Sequence, residues 1–350
     1  MKTLMELNNI QKSFGKTKVL TGVNLTIGEG EIVSVLGPSG CGKSTLLKII
    51  AGILPLDDGT VTLDGAVVSS SKQTLATEKR NINMVFQNFA LWPHMKVRDN
   101  ILFGLKIKKL DAKEMETRLQ EVVNLLHLDG LIDRYPAELS GGQQQRIAIA
   151  RALITKPKVV LLDEPLCNLD IQLRIEMRTE MAYLFRSIGT TVFHVTHDPS
   201  EAFAMADKIV VMNNGVIEQM DTPMDCYTNP KTQMVAGLLG ASNTIKGAKI
   251  NGNTATIGSD TLSVRPFQVD GDTNTVTLRF RPEACRWTTT KEDNALSVTV
   301  LLSTFEGNCY RIKLQTASGD EFCILGQEMI APNTNGYVSI DANQLYAYGQ

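Results

Sequence analysis

No apolar run in this 350-residue chain approaches the roughly 18 residues that a membrane-spanning helix needs. The start, Met1-Lys2-Thr3-Leu4-Met5-Glu6, has no apolar stretch after its lysine, so it does not read as a secretory signal. An excess of positive charge is also missing. The 35 Lys and Arg against 37 Asp and Glu leave a formal net charge of -2, without the basic field of a nucleic-acid binder. The six cysteines, at 41, 167, 226, 285, 309 and 323, include no CxxC pair. That argues against a zinc site or a thioredoxin-type motif and fits reduced thiols. There is no internal repeat and no low-complexity tract.

What remains is an ordinary globular composition, 43% hydrophobic and 21% charged, in a chain long enough for two domains with a core each. Residues 1–30 read as short strands joined by turns. The run 31–36 suits a buried strand; glycines at 37, 40 and 42 break it, and Lys43–Ala51 reads as a helix. Within 112–128, Leu119, Val122, Val123 and Leu126 recur at i, i+3, i+4 and i+7, the spacing of an amphipathic helix. Pro136 stops any continuation, and Ser140 is placed to cap the next helix, 143–153. A buried strand at 158–163, a helix at 171–187, a strand at Thr191–Val195 and a short helix at 200–206 continue the alternation. This predicts an α/β core with a largely parallel sheet. After about residue 240 come short β-rich runs: Thr275–Phe280, 296–302, 310–314, 321–325 and 337–340. Asn251-Gly252, Ser318-Gly319 and Asn335-Gly336 read as turns between them. The expected organisation is an α/β domain over 1–240 and a small all-β barrel over 241–350.

Three motifs carry chemistry. Gly37-Pro38-Ser39-Gly40-Cys41-Gly42-Lys43-Ser44 fits GxxxxGK[ST] in the strand–loop–helix setting a phosphate loop needs. Its glycines let backbone N–H groups close on phosphate oxygens, and the following helix adds the positive end of its dipole. Lys43 is placed to reach the β- and γ-phosphates. Ser44 offers a hydroxyl to Mg2+, a hard cation that takes oxygen ligands, and Thr45 completes the nucleotide-binding set. The run Val159-Val160-Leu161-Leu162-Asp163-Glu164 is apolar until its last two residues. Asp163 suits Mg2+ and Glu164 suits a general base or water-orienting group; the same two acids before Pro165 would also cap a helix. Leu139-Ser140-Gly141-Gly142-Gln143 presents a hydroxyl and bare N–H groups at a helix N-terminus, an anion site. Sequence alone does not say which nucleotide that site meets.

In this order the three motifs resemble the ATP-binding-cassette ATPases, over roughly residues 4–235. The resemblance implies a phosphate-loop NTPase cassette with a helical subdomain, and ATP and Mg2+ as cofactors. It implies a dimer, in which Ser140, Gly141, Gly142 and Gln143 cap the ATP held by a second copy of the chain. Asn168-Leu169-Asp170 matches the loop that crosses that interface, with Asp170 its key residue, and Cys167 stands where the family commonly has a serine. It further implies that His197 contacts the γ-phosphate, that Gln87 joins the Mg2+ site to the transport partner, and that Phe14 stacks on adenine. Read without the family, His197 is a lone histidine at a strand end, Phe14 beside Gly15 is equally a turn plug, and His194 is core.

Gln143-Gln144-Gln145-Arg146 and Leu162-Asp163-Glu164-Pro165-Leu166 resemble bacterial binding-protein-dependent importers. So does Phe89-Ala90-Leu91-Trp92-Pro93-His94-Met95, which in those systems receives a helix of the membrane subunit. Two transmembrane permease subunits and, indirectly, a periplasmic or lipoprotein solute-binding protein are thereby implied, with no nucleic acid. The implied place is the cytoplasmic face of the inner membrane, held peripherally. Pro199 stands where the family often has Gln, and proline suits a first helical turn. The tail, with Arg281-Pro282-Glu283, resembles the OB-like barrel of ferric-iron, polyamine, phosphonate and sugar importers, either a dimer-stabilising appendage or a regulatory site. Chain length and residues 196–203 resemble the ferric-iron group most, so ferric iron is the expected cargo; polyamine, phosphonate or sugar-phosphate is the alternative. A DNA-repair or chromosome-maintenance ATPase would carry a coiled coil or zinc module between the motifs, and none is present. An exporter need not carry the tail, and a translation factor would usually hold two cassettes.

Overall fold

The computed structural model describes residues 2–265 and 274–349. The chain divides into two compact units, Met1–Pro223 and Met224–Gln350.

In the first unit, six strands form one sheet in the order Val216–Asp221, Lys208–Asn213, Ile32–Leu36, Thr191–Val195, Val159–Asp163, Ile82–Val85. The pairs are parallel apart from Val216–Asp221 on Lys208–Asn213. Alternation within the strands explains why the sheet is covered twice. Ile32, Val85, Val160, Leu162 and Val192 point to one core, shared with the helices Val97–Ile107, Ala112–Leu125, Gly141–Leu153 and Ile171–Ile188. Val33, Val35, Leu161, Phe193, Val195 and Val210 point to the other, shared with the helix Lys43–Ala51 and a four-stranded antiparallel sheet. A strand buried on both faces reads as a continuous apolar run, which is why these were visible in sequence. Residues 1–30 differ from expectation: they form two 12-residue strands, Thr3–Phe14 and Thr17–Gly28. They pair antiparallel with several register shifts, and these irregularities break the simple alternation by which a long strand is recognised. Helices at 43–51, 112–125 and 171–188 and the strand 191–195 form where expected, and the helix expected from 143 starts at Gly141.

From Asn243 onward the second unit is a β, OB-like fold of two five-stranded sheets around one apolar core that includes Ile245, Leu278, Phe280, Leu296, Ile312, Leu314 and Val338. Five strands join those expected: Asn243–Asn251, Thr254–Ile257, Asp260–Ser263, Cys285–Thr288 and Tyr346–Gly349. Asn335-Gly336 is not a turn; both residues lie in the strand Asn335–Ile340, and a β-carbon at Gly336 would collide with the Trp287 ring. The short helices Pro223–Thr228 and Gln233–Leu238, placed with the first domain by sequence, cluster with the β unit apart from Pro223. Arg281 is one of the residues that tie them there, with Tyr348, whose hydroxyl donates to Pro230 O at 2.9 Å. Fully buried, Arg281 donates to Tyr227 O at 2.9 Å, Leu239 O at 3.2 Å and the Tyr346 hydroxyl at 2.9 Å. Its guanidinium lies 3.6 Å from the Tyr227 ring centroid.

Candidate active site

The strand Ile32–Leu36 delivers the loop 37–42 to the N-terminus of the helix Lys43–Ala51. Glycine is required at Gly37, where φ is 156° and a β-carbon would strike the Met212 carbonyl and Cys41 Sγ. It is required again at Gly42, φ 108°, where the β-carbon would lie 2.7 Å from Leu20 Cδ2 and 3.0 Å from Val19 O. That second contact brings the hairpin of Phe14 and Thr17 close to the loop. Pro38, Ser39 and Gly40 form its exposed rim, while Cys41 and Lys43 are buried. Lys43 Nζ donates to Gly37 O at 2.7 Å and Pro38 O at 3.0 Å, with Cys41 Sγ 3.9 Å away. The helix has no side-chain cap, so its first-turn N–H groups, including those near Ser44 and Thr45, are not taken by a capping acceptor. An ammonium folded onto carbonyls beside uncapped donors fits a phosphate chain.

Asp163 ends its strand opposite this helix, and Ser44 Oγ donates to its Oδ1 at 3.4 Å. Burial raises the Asp163 carboxyl above its ordinary range and the Glu164 charge adds to this; Ser44, Lys48 and Lys43 oppose it. A desolvated carboxylate beside a hydroxyl fits a hard divalent cation such as Mg2+. Among the described residues no group of three or more His, Cys, Asp or Glu side chains could hold a metal, so most of the remaining ligands would be phosphate oxygens and water. Gln87 is exposed and is not bonded to Ser44 or Asp163. Its side chain meets the Cys167 thiol, and its carbonyl accepts from Asn168 Nδ2 at 2.9 Å. Asn168 thus ties the Gln87 backbone to the loop before Asp170.

Glu164 leaves the strand with φ 45°, a left-handed backbone that costs a non-glycine residue about 1–3 kcal/mol. Its N–H bonds Val195 O at 2.9 Å, and its Oε2 lies 3.2 Å from His197 Nδ1. The expected base and the expected phosphate sensor are therefore in contact, 33 residues apart in sequence. Phe14 is half exposed, with Lys12 Nζ 5.6 Å from its ring centroid, so a face remains accessible for stacking.

Ser140 caps its helix: its Oγ accepts from Gln143 N at 3.4 Å, and Gln143 Oε1 accepts from Ser140 N at 3.1 Å. Gly141 and Gly142 leave room for Leu169 and Leu173, whose side chains would be 3.1 and 3.0 Å from added β-carbons. Asp170 caps the neighbouring helix through Leu173 N at 2.9 Å. No hydrogen bond or ion pair among the described residues joins 140–143 to the loop 37–44 of the same chain. In the segment 89–95, Phe89 and Ala90 both have positive φ, and Arg151 fastens their carbonyls at 2.8 and 2.6 Å. The Arg151 guanidinium also lies 4.8 Å from the Trp92 ring centroid.

Sequence reasoning missed Arg80, Arg174 and Glu201. Buried Arg80 donates to Ile49 O, Ile50 O, Val68 O and Ser69 Oγ, bracing the far end of the phosphate-loop helix. Arg174 donates to Cys167 O and Leu169 O. Their partners are mostly carbonyls, which leave no trace in a sequence. His194 is fully buried, as expected of core, but bonds Ser34 Oγ at 3.0 Å.

Residues 20–167 match the family described as ABC transporter. The chain is 42% identical over 302 residues to the sn-glycerol-3-phosphate import ATP-binding protein UgpC of Paracoccus denitrificans, covering 86% of this chain and 82% of that protein. It is 40% identical over 314 residues to the spermidine/putrescine import ATP-binding protein PotA of Clostridium acetobutylicum, covering 89% and 87%. It is also similar to a solved dimeric structure of the ATP-binding cassette MJ0796 in a post-hydrolysis state bound to ADP and Pi. The TM-score is 0.55 and the identity 33%, covering 63% of this chain and 99% of that one. The expectation of ferric iron receives no support from these relatives, whose names give glycerol phosphate and polyamines. Identity of this degree over most of both chains decides membership: the chain belongs to the ABC transporter family, as an ATPase coupled to transport.

Proposed function

We propose that this chain is the ATP-hydrolysing subunit of an importer, working as a homodimer beneath two permease subunits at the cytoplasmic face of the membrane. Its cargo would be an organic solute of the phosphorylated-polyol or polyamine class named for its relatives. The observation that carries the enzymatic half is the Glu164–His197 contact beside the Ser44–Asp163 pair.

Lys43 exchanges the carbonyls of Gly37 and Pro38 for β- and γ-phosphate oxygens, while Phe14 stacks on the base. Ser44 and Asp163, with Gln87, would hold Mg2+, whose charge would offset that of the phosphates. Glu164 orients the attacking water and accepts its proton, and His197 fixes the Glu164 carboxylate and meets the γ-phosphate. Ser140 is exposed and Gly141 and Gln143 are half-buried, with Gly142 buried between them; none is used by the phosphate loop of its own chain, which supports a second copy's ATP as the target of this turn. The dimeric state of the MJ0796 cassette supports the same arrangement. Closure follows if ATP binds the closed dimer better than the open one. Segment 89–95, beside Gln87, is the proposed permease contact. A solute-binding protein would act through the permeases alone.

The test is Glu164→Gln. Turnover should fall about 100- to 10,000-fold with ATP binding intact, and the ATP-trapped dimer should bring two permeases and their binding protein out of native membranes. Normal turnover would remove Glu164 as base. Recovery of a homodimer without membrane subunits would remove the importer, and recovery of an iron-binding partner would return ferric iron as the cargo.

A further inference from the structure

The loop carrying His197 is anchored from below by a buried carboxylate that the reaction itself does not use. Glu201 is 3% exposed in the short helix Pro199–Met205. Its Oε2 accepts from Thr196 Oγ1 at 2.6 Å, and the same hydroxyl oxygen accepts from Asp198 N at 3.1 Å. Thr196 and Asp198 are the two neighbours of His197, so one carboxylate oxygen fixes both ends of the tripeptide that aims the imidazole at Glu164. On its other side Glu201 Oε2 lies 3.6 Å from His194 Nε2, a fully buried nitrogen without a hydrogen-bond partner, in a ring held by Ser34 at Nδ1. Burial alone would raise the Glu201 carboxyl. Contacts from His194 and Thr196, with the Arg174 charge, more than offset it and hold the group below its ordinary range. A buried anion is kept at such a cost only where its partners are fixed in place.

We propose that Glu201 is a positioning residue for His197, acting through the Thr196 hydroxyl with His194 as its backstop. The inference rests on the role given to His197 above. Thr196→Val, close in shape but without the donor, should lower kcat about 10- to 100-fold while the KM for ATP stays within about twofold, the signature of a displaced group acting in the transition state. Glu201→Ala should do the same. Glu201→Gln keeps an acceptor oxygen for Thr196 and should restore most of the lost kcat. In a His197→Ala background, Thr196→Val should produce no further loss. Should Glu201→Ala fail to fold, Thr196→Val alone and in the His197→Ala background carries the test. A further multiplicative fall in that background, or equal losses in kcat and ATP affinity, overturns the proposal and leaves the role of His197 standing. Wild-type turnover by His197→Ala itself overturns that role, and this inference with it.

Discussion

Asp163 and Glu164 are adjacent carboxylates with different surroundings. Asp163 faces Ser44 inside the molecule, where burial raises its pKa; Glu164 reaches the exposed His197 on a strained backbone. A buried acid with a raised pKa disfavours its charged form. Its ionisation therefore costs stability that is absent below the ordinary value of 3.8 and fully felt once pH exceeds the raised folded value. Asp163→Asn should accordingly raise the Tm of the nucleotide-free protein at neutral pH, with the gain shrinking on acidification, while abolishing Mg2+-dependent turnover. Thermal denaturation across pH, with and without Mg2+ and ATP, checks the sign: the wild type should become the more stable protein only when both are bound. Both acids were legible in sequence, because an apolar run ending in two carboxylates is a contiguous pattern. The strain at Glu164 was not, since it follows from its N–H being bonded to Val195 O on a neighbouring strand.

At the scale of elements, the helices Gly141–Leu153 and Ile171–Ile188 start side by side, capped by Ser140 and Asp170. The paired glycines permit that approach, so Leu139–Gln143 has a packing role in one chain as well as its proposed role across a dimer. The two separate experimentally. Ser140→Ala should cost about 1 kcal/mol through the lost cap and leave dimerisation measurable. Ser140→Arg should bind ATP as a single subunit yet fail to dimerise with it, because a long cation occupies the surface offered to the second nucleotide. Light scattering of the Glu164→Gln protein with and without Ser140→Arg reads this directly; a dimer of undiminished affinity would rule out the capping role. The Ser140 cap made the first of these helices predictable, as amphipathic spacing did for Ala112–Leu125. The long irregular strands of residues 1–30 and the in-strand Asn335-Gly336 were misread because bulges and ring-filling glycines imitate turns.

For the molecule as a whole, Arg281 and Tyr348 join residues 224–239 to the second unit. Arg281 binds Tyr227 O and Leu239 O, so residues 224–239 depend on contacts supplied by the β unit. A chain ending at Pro223 should remain a soluble, folded ATPase domain. One ending at residue 240 should carry a disordered tail that proteases remove, read out by mass after limited proteolysis. Protection of 224–238 in the longer product would restore the boundary near 240. The sequence by itself determined the chemistry, since a phosphate loop, a capped Ser-Gly-Gly turn and a paired-acid strand end each need residues that are neighbours in the chain. Only the tertiary structure decided which of them meet: Ser44 with Asp163 across 119 positions, and Glu164 with His197 across 33. It alone disclosed the buried clamps at Arg80, Glu201 and Arg281. The two arginines are satisfied largely by backbone carbonyls, which have the same identity everywhere along a chain, and Glu201 by the Thr196 hydroxyl and the His194 ring; all become specific only when folding brings them within hydrogen-bond reach.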